Sequence, residues 1–342
     1  MTKHAAGTDA QEVSVDPDVR DLIETVTGSH ECAEHDHGWW GRLDELGLSR
    51  LAASEDRGGS DAGWPAAAVL VKSLARRACA VPVGESDLVG DWLLERAGLP
   101  AAPGLQDVWV DEGRQDRRIV ASTVESVVVL RCDGGRAAIA LAPPTIVRER
   151  EVSGRWPDGV TWSPVPVDVA RGAQLRLALV KGLRVVGAME SAVDVAVTHV
   201  TEREQFGRPI AKFQAVQQLV ATMAAESALA AVAVDAAVLE MALHGDEMDR
   251  VLPAVAVARS CAGHAAGLVA RNAHQVLGAM GTTMEHRLHR FTMAMLAWRS
   301  EGGDTRTWDR QVLELAVGRH QLGDLDFNEH LLVRHTTPGG TS

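Results

Sequence analysis

The second half of the sequence, residues 173–321, has the apolar spacing of long helices. Apolar residues that recur at steps of three and four positions lie along one face of a helix. The clearest stripe precedes a helix end near Glu202 and consists of Val186, Met189, Val193, Ala196 and Val200. A pattern of this length constrains the second half of the chain to fold as packed helices.

More helical segments follow this first one. They are predicted at residues 209–243, 248–278, 285–298 and 306–321. Pro209 would begin the second helix, because its missing N–H costs nothing in a first turn. Since long helices with short connections pack side by side in alternating directions, we predict an antiparallel four-helix bundle within residues 169–335.

The first part of the chain is also helical in pattern. Residues 18–105 are predicted as an N-terminal helical domain after a polar tail over residues 1–17. Short apolar runs alternate there with clusters of Gly, Asp and Ser, which are typical of turns. The expected helices cover residues 18–26, 39–46, 64–77 and 85–97.

Residues 106–168 have the pattern of a small β domain. Runs rich in β-branched and apolar residues are separated by DEGRQD, DGG and PP, which indicates consecutive antiparallel strands. The predicted strands are VWV, RIVASTVESVVVLRC, AAIALA, TIVRER and GVTWSPVPV. The expected fold class is therefore α+β, mostly α: an N-terminal helical domain, a small, reduced antiparallel β domain and a C-terminal antiparallel four-helix bundle, followed by a tail over residues 336–342.

Composition limits the classes of partner. The formal net charge of −12 argues against nucleic acid or an anionic membrane as the main partner, since both need a basic surface. The polar N-terminus has no apolar signal region, and no uncharged apolar run approaches the roughly 18 residues of a membrane span. The four cysteines are scattered, so we expect free thiols and a cytoplasmic protein.

Two segments at helix junctions carry a more specific signal. REQFGRPIAKFQ begins at Arg203 and ends at Gln214, and QVLGAMG runs from Gln275 to Gly281. Together they resemble the flavin-contacting signatures of the acyl-CoA dehydrogenase family. The resemblance covers residues 19–321 and is strongest after residue 182. The alternative is that both segments are ordinary helix ends, because short motifs arise by chance.

The resemblance implies FAD as the cofactor. The positions that match the family's FAD contacts are Arg203, Gln214, Gln275, Gly278 and Ala279. An arginine fork near a helix start suits phosphate oxygens, and a glutamine amide suits the donors and acceptors of a dinucleotide. Ala279 departs from the usual Gly and adds a methyl group near the expected cofactor. In the family these contacts reach across a subunit boundary, so the resemblance also implies an oligomer.

Parts of the family pattern are missing. The Thr/Ser-rich loop and the K-x-W-I-T-N-G-like strand that hold the flavin ring cannot be found between Leu99 and Val167. We therefore expect a hetero-oligomer in which a full-length acyl-CoA dehydrogenase subunit supplies the ring-binding domain. Such an arrangement is similar to the two-gene enzymes of actinobacterial steroid degradation. A homo-oligomer of this chain is the alternative.

The catalytic base expected from the resemblance is a glutamate. One family position on the first bundle helix holds Leu177 beside Arg176 and is empty here. The other, in a Y-E-G-T context, aligns with Glu301 in W-R-S-E-G-G-D. Glu301 is thus the candidate catalytic residue. A solvated loop carboxylate is the alternative, with the base on the partner.

Two histidine groups invite a metal or phosphate interpretation. HECAEHDH contains His30, Cys32, His35 and His37, but its spacing fits no common zinc module, so we expect a polar loop and no metal site. His286 and His289 lie at a helix start, where either a CoA phosphate contact or a solvated face is possible.

The expected activity is α,β-desaturation of an acyl-CoA by an FAD-dependent dehydrogenase subunit. Its expected partners are the acyl-CoA substrate and an electron-transfer acceptor protein. Two alternatives stay open: a related flavoprotein oxidase that uses oxygen, and a catalytically silent structural subunit that stabilises its partner.

Overall fold

The computed structural model describes residues 15–28, 38–111, 124–133, 135–283 and 285–317. Its N-terminal part is a layer of helices with the bounds α1 Pro17–Gly28, α2 Gly38–Glu45, α3 Gly63–Ala75, α4 Val83–Glu85 and α5 Trp92–Arg96. The π-helical turn Ser86–Asp91 joins α4 to α5. The four helices predicted for this layer are confirmed, and their ends differ from the prediction by two residues at most.

The sheet that follows has four strands in the order β1-β2-β3-β4. Their bounds are β1 Gln106–Asp111, β2 Ser126–Asp133, β3 Arg136–Ala142 and β4 Ser163–Val165. The β2–β3 and β3–β4 pairs are antiparallel, as predicted. The prediction of antiparallel pairing is wrong for β1 and β2, which pair in parallel. A parallel pair needs a connection of a dozen or more residues, and the interval from 112 to 125 provides one.

One predicted strand is wrong. The segment TIVRER lies in helix α6, Pro144–Ser153, with Pro144 in the first turn, where its missing N–H is tolerated. Val147 and Arg150 are buried one turn apart, which is helical spacing. Arg150 forms a buried ion pair with Asp111 of β1 at 3.1 Å, and this pair fixes α6 to the sheet.

The C-terminal part is the predicted antiparallel bundle. Its helices are α7 Val167–Glu202, α8 Gln214–His244, α9 Met248–Leu277, α10 Leu288–Ser300 and α11 Thr305–Val317. The helix α7 is central, since it packs on α3 of the N-terminal layer and on α8, α9 and α10. A Cβ atom at Gly187 would lie 2.4 Å from the carbonyl oxygen of Lys72, so glycine permits the close approach of α7 to α3.

The second bundle helix begins later than predicted. Pro209 lies in the small hairpin β5 Glu204–Gln205 and β6 Arg208–Pro209, and a 3-10 turn, Ile210–Lys212, precedes α8. Phe213 has extended backbone and caps the helix at Gln214. The tail predicted at residues 336–342 and most of that at 1–17 lie outside the described residues. The predicted domain boundaries stay predictions.

Two bundle segments, Gln214–His244 and Met248–Thr282, are long and apolar enough to cross a membrane by length and composition alone. Buried helices of helical bundles share these properties, and more than half of the apolar window of the second segment is buried. The observation is weak evidence for a membrane, and the prediction of no membrane partner stays a prediction.

Candidate functional site

The fold brings the two predicted flavin-contacting segments to one end of the bundle. Because α7, α8 and α9 alternate in direction, the end of α7, the start of α8 and the end of α9 lie together. Arg203 follows α7, Gln214 begins α8, and the turn Gly278–Thr282 follows α9. Residues that are far apart in the sequence therefore share one surface.

The first segment forms a folded-back loop. The carbonyl of Arg203 accepts a hydrogen bond of 2.8 Å from the N–H of Ile210, which closes the loop around the hairpin. Phe206 at its tip has a positive φ of 54° and is 91% exposed, and its ring packs edge-on against Phe213 at 6.1 Å. The side chains of Arg203 and Gln214 are exposed, so both are accessible to a ligand or a partner.

The second segment ends α9 in a tight turn. Gly278 has φ 62° and ψ −141°, a conformation that only glycine adopts without strain. Gln275, Gly278 and Ala279 are all exposed. The carbonyl of Ala279 accepts a hydrogen bond of 2.8 Å from the Thr282 hydroxyl. The turn therefore keeps this hydrogen bond with alanine at position 279.

Arginine and histidine side chains gather at the same end of the bundle. Burial lowers the pKa of His199, and the charges of His286 and Arg203 lower it further. Burial also lowers the pKa of His286, and Arg287, His289 and His274 add to the effect. We call His199, Arg203, His274, His286, Arg287 and His289 the bundle-end cluster. Such a concentration of donors and positive charge suits an anionic ligand.

Glu301, the predicted base, lies away from this end of the bundle, beside Lys181 of α7. Its carboxylate follows the last turn of α10 and forms an ion pair of 2.5 Å with the Nζ of Lys181. The side chain is 38% exposed, whereas Lys181 is buried. Glu301 is therefore a partly exposed carboxylate that is ion-paired with Lys181, and its role as the base stays a prediction. The 22 residues from Lys181 to Arg203 separate the two places by about 33 Å along the helix.

A buried ionic cluster surrounds Lys181. Glu85 of α4 binds the Nζ of Lys181 at 2.6 Å and the Nη2 of Arg184 at 2.7 Å. Burial alone would raise the pKa of Glu85, but the charges of Arg184 and Lys181 outweigh it and lower that pKa to about 2. Arg259 of α9 fixes the loop by donating to the carbonyls of Arg299, Glu301 and Gly303.

Sequence reasoning missed this cluster. A signal was available, because Lys181 and Arg184 interrupt an otherwise apolar stretch, LALVKGLRVVGAM, in which every residue is buried. Charged residues in such a stretch need buried partners of opposite sign. The sequence does not show which carboxylates these are.

The remaining histidine predictions have mixed outcomes. His30, Cys32, His35 and His37 lie outside the described residues. Within the described residues, no group of three or more His, Cys, Asp or Glu side chains could hold a metal ion. His286 and His289 belong to the bundle-end cluster, and the choice between a phosphate contact and a solvated face stays open.

The sequence is similar to those of two known acyl-CoA dehydrogenases. Acyl-CoA dehydrogenase FadE34 of Mycobacterium tuberculosis is 30% identical over 305 residues, which are 82% of this chain and 42% of FadE34. Acyl-CoA dehydrogenase IpdE2 of the same organism is 27% identical over 269 residues, which are 75% of this chain and 79% of IpdE2. The chain thus spans less than half the length of FadE34.

Solved structures define the class of fold. The crystal structure of the ChsE4–ChsE5 complex from Mycobacterium tuberculosis has a TM-score of 0.72 and 19% identity, and the match covers 90% of this chain and 99% of that chain. This likeness shows the acyl-CoA dehydrogenase fold. Residues 173–321 match the family model described as acyl-CoA dehydrogenase, C-terminal domain. The chain carries the C-terminal domain of the acyl-CoA dehydrogenase family.

Proposed function

We propose that this chain is a subunit of an FAD-dependent acyl-CoA dehydrogenase and contributes to a flavin site shared with a partner subunit. The observation that carries the proposal is that five exposed residues meet at one end of the bundle: Arg203, Gln214, Gln275, Gly278 and Ala279. Exposed residues on one subunit can form a binding site together with residues of a second subunit.

The chemistry of this end fits the dinucleotide part of FAD. The guanidinium of Arg203 and the bundle-end cluster would bind phosphate oxygens, and the amides of Gln214 and Gln275 would bind polar groups of the nucleotide. Gly278 leaves open space where a Cβ atom would lie, so the backbone is accessible there. When bound, FAD would supply the acceptor for the hydride that leaves the β-carbon of the acyl group.

The base that removes the α-proton is assigned to the partner subunit. Lys181 already neutralises the carboxylate of Glu301, and the Glu85–Lys181–Arg184 cluster behind it is closed by its own ion pairs. A general base needs a carboxylate that is within reach of the substrate proton and free to accept it. This pairing is the reason to place the base on another chain.

The surface of α8 supports an assembly. Leu229, Val232, Leu239 and Leu243 are exposed at helical spacing and form an apolar stripe. Contiguous exposed apolar surface marks protein–protein contacts. The matching segment is less than half of FadE34. FadE34 is therefore long enough to contain a second unit of similar size on the same chain. We therefore propose a full-length acyl-CoA dehydrogenase as partner and an electron-transfer protein as acceptor.

A second candidate function is a catalytically silent subunit that only stabilises its partner. The Lys181–Glu301 ion pair favours it, since it removes the predicted base from use. The two candidates differ at Arg203, because a silent subunit has no need of a dinucleotide contact.

Co-expression with a full-length acyl-CoA dehydrogenase homologue tests the proposal. In the purified complex, Arg203→Gln should lower both the bound FAD per complex and the acyl-CoA-dependent reduction of a dye. The matched control is Arg250→Gln, an exposed arginine near the other end of α9 that pairs with Glu247. Unchanged flavin content and turnover in Arg203→Gln would favour the silent subunit.

A further inference from the structure

A cavity of about 560 Å³ lies between the N-terminal layer, α7 and the connection from α8 to α9. Its walls include the indoles of Trp64 and Trp92, the π-helical turn and Arg176. The volume is that of a small-molecule site, and π-helical turns are frequent at functional sites. Among the described residues that line it, none belongs to the bundle-end cluster, and Glu301 is absent from the lining.

Arg176 is the unusual feature of this cavity. It is 7% exposed, and its guanidinium carbon lies 4.2 Å from the ring centre of Trp92 and 5.6 Å from that of Trp64. The Nε has no hydrogen-bond acceptor, and no carboxylate among the described residues forms an ion pair with the guanidinium. Burial lowers the pKa of Arg176 to about 10, so the group stays charged near neutral pH. Asp246 and Glu95 act on this charge without forming an ion pair with it, and a buried charge that no carboxylate contacts directly is costly.

The other cations of the cavity are already used. Arg57 donates hydrogen bonds to the carbonyls of Leu99 and Asp91, and Arg96 is ion-paired with Asp246. The indole Nε1 of Trp64 is a second buried donor without an acceptor. The Nε of Arg57 has no acceptor either, so three unsatisfied donors, two of them on charged groups, lie in the wall of one cavity.

Two buried acids, Asp87 and Asp91, also line the cavity. Asp87 accepts hydrogen bonds from the N–H groups of Ala52 and Ala53, at 2.9 and 3.2 Å. Asp91 forms an ion pair of 3.6 Å with the Nε of Arg50, and its carboxylate oxygens accept no hydrogen bond. The cavity is also lined by Asp61, Glu95, Asp246 and Glu247. The combined negative charge of these acids disfavours a divalent anion such as phosphate more than a monovalent one.

We infer that this cavity binds a small organic monocarboxylate, with its carboxylate on the guanidinium of Arg176 and its apolar body against Trp64 and Trp92. The planar guanidinium fork matches the geometry of a carboxylate, and the indole faces match a hydrocarbon chain or ring. The site does not depend on flavin or on a partner subunit.

Isothermal titration calorimetry on the purified full chain tests this site. The probes are hexanoate, benzoate and cyclohexanecarboxylate, with cyclohexanecarboxamide as the uncharged analogue and inorganic phosphate as the divalent one. At least one monocarboxylate should bind saturably with one site per chain, and the amide and phosphate should bind at least about tenfold more weakly, as expected for loss of a charge-assisted hydrogen bond.

Variants connect the binding to Arg176. Arg176→Met should weaken the carboxylate about 10- to 100-fold and abolish the rise in Tm that the ligand causes, while the Tm without ligand stays level or rises. Arg176→Lys keeps the charge without the fork and should give an intermediate loss, which provides the test if the Met variant does not fold. Arg171→Met, on the same helix and outside the lining, should bind like the wild type.

Three results would overturn the inference. The first is that no monocarboxylate binds saturably below about 10 mM. The second is that phosphate or the amide binds as tightly as the monocarboxylate. The third is that the Arg176 variants that fold bind the monocarboxylate as tightly as the wild type.

Discussion

The Nζ of Lys181 lies 2.5 Å from the Oε2 of Glu301 and 2.6 Å from the Oε1 of Glu85. One buried ammonium therefore holds both the carboxylate at the predicted base position and a carboxylate from the N-terminal layer. The same lysine joins the loop after α10 to α4 through the centre of the molecule. This arrangement gives Glu301 a structural role that does not depend on catalysis.

The first prediction concerns Glu301 in the complex with a partner. Glu301→Gln should leave acyl-CoA turnover within about twofold of the wild type, because the proposed base is on the partner, whereas loss of a general base costs roughly 10²- to 10⁴-fold. Steady-state dye reduction measures this. The control is Glu314→Gln on α11, remote from Lys181. A loss of a hundredfold or more in Glu301→Gln alone would make Glu301 the base.

The second prediction concerns Glu85. Glu85→Gln should lower the free energy of unfolding by about 3–5 kcal/mol at pH 7, because Lys181 and Arg184 lose their shared buried counter-ion. Urea unfolding measures the change. The control Glu190→Gln removes a partly exposed ion pair with Arg76 and should cost about 1 kcal/mol or less. Equal losses in the two variants would contradict the role of burial.

The lowered pKa of Glu85 also predicts that the free energy of unfolding falls at acid pH. Its pKa is lowered from 4.5 to about 2 in the folded chain, so the unfolded chain binds the proton first as the pH falls. Its contribution to stability is complete above about pH 4.5 and is lost as the pH falls toward 2. The unfolding free energy of Glu85→Gln should therefore fall less steeply than that of the wild type in this window.

The third prediction concerns Asp87. Burial raises its pKa to about 7, the N–H of Ala52 opposes the rise, and the charge of Asp91 adds to it. The folded chain thus binds the proton more tightly than the unfolded chain, so stability should fall as the pH rises from about 4 to 7. Asp87→Asn should remove this dependence and be more stable than the wild type at pH 8 by on the order of 2 kcal/mol.

Thermal unfolding across pH 4–8 measures this effect. Asp61→Asn at the rim of the same cavity is the control, since Asp61 is exposed. A wild-type slope that persists in Asp87→Asn would assign the pH dependence to another group.

The fourth prediction concerns the apolar stripe on α8. Val232→Lys combined with Leu239→Lys should disrupt the assembly with little loss of stability, because both side chains are exposed in the single chain. Light scattering after size-exclusion chromatography measures the mass. The control Val152→Lys changes an exposed residue on α6. An unchanged mass of the complex in the double variant would remove α8 from the interface.

The helices were predictable because their signals are local. The 3-4 apolar spacing and the turn residues lie within single segments, so the helical layer and the bundle followed from the sequence. The segment at Pro144 was misassigned because a β-branched run after two prolines resembles a strand, while the burial of Val147 and Arg150 that decides for a helix depends on the sheet. The parallel β1–β2 pairing depends on contacts between distant segments.

The candidate site was predictable only where motif and topology coincide. Arg203, Gln214 and Gln275 lie at helix junctions, and an antiparallel bundle brings those junctions together. The partners of Lys181 were not predictable, because Glu85 and Glu301 are 96 and 120 residues away in the sequence. The cavity at Arg176 likewise depends on packing between the N-terminal layer and the turn after α8.

The flavin content of the chain alone and in complex is the most direct test of the shared site. FAD released from the purified protein is quantified against protein, first for the chain expressed alone and then for the chain co-expressed with a full-length homologue. We predict almost no FAD on the chain alone and stoichiometric FAD in the complex, reduced by Arg203→Gln. A chain that purifies alone with one FAD per molecule would contradict the shared flavin site.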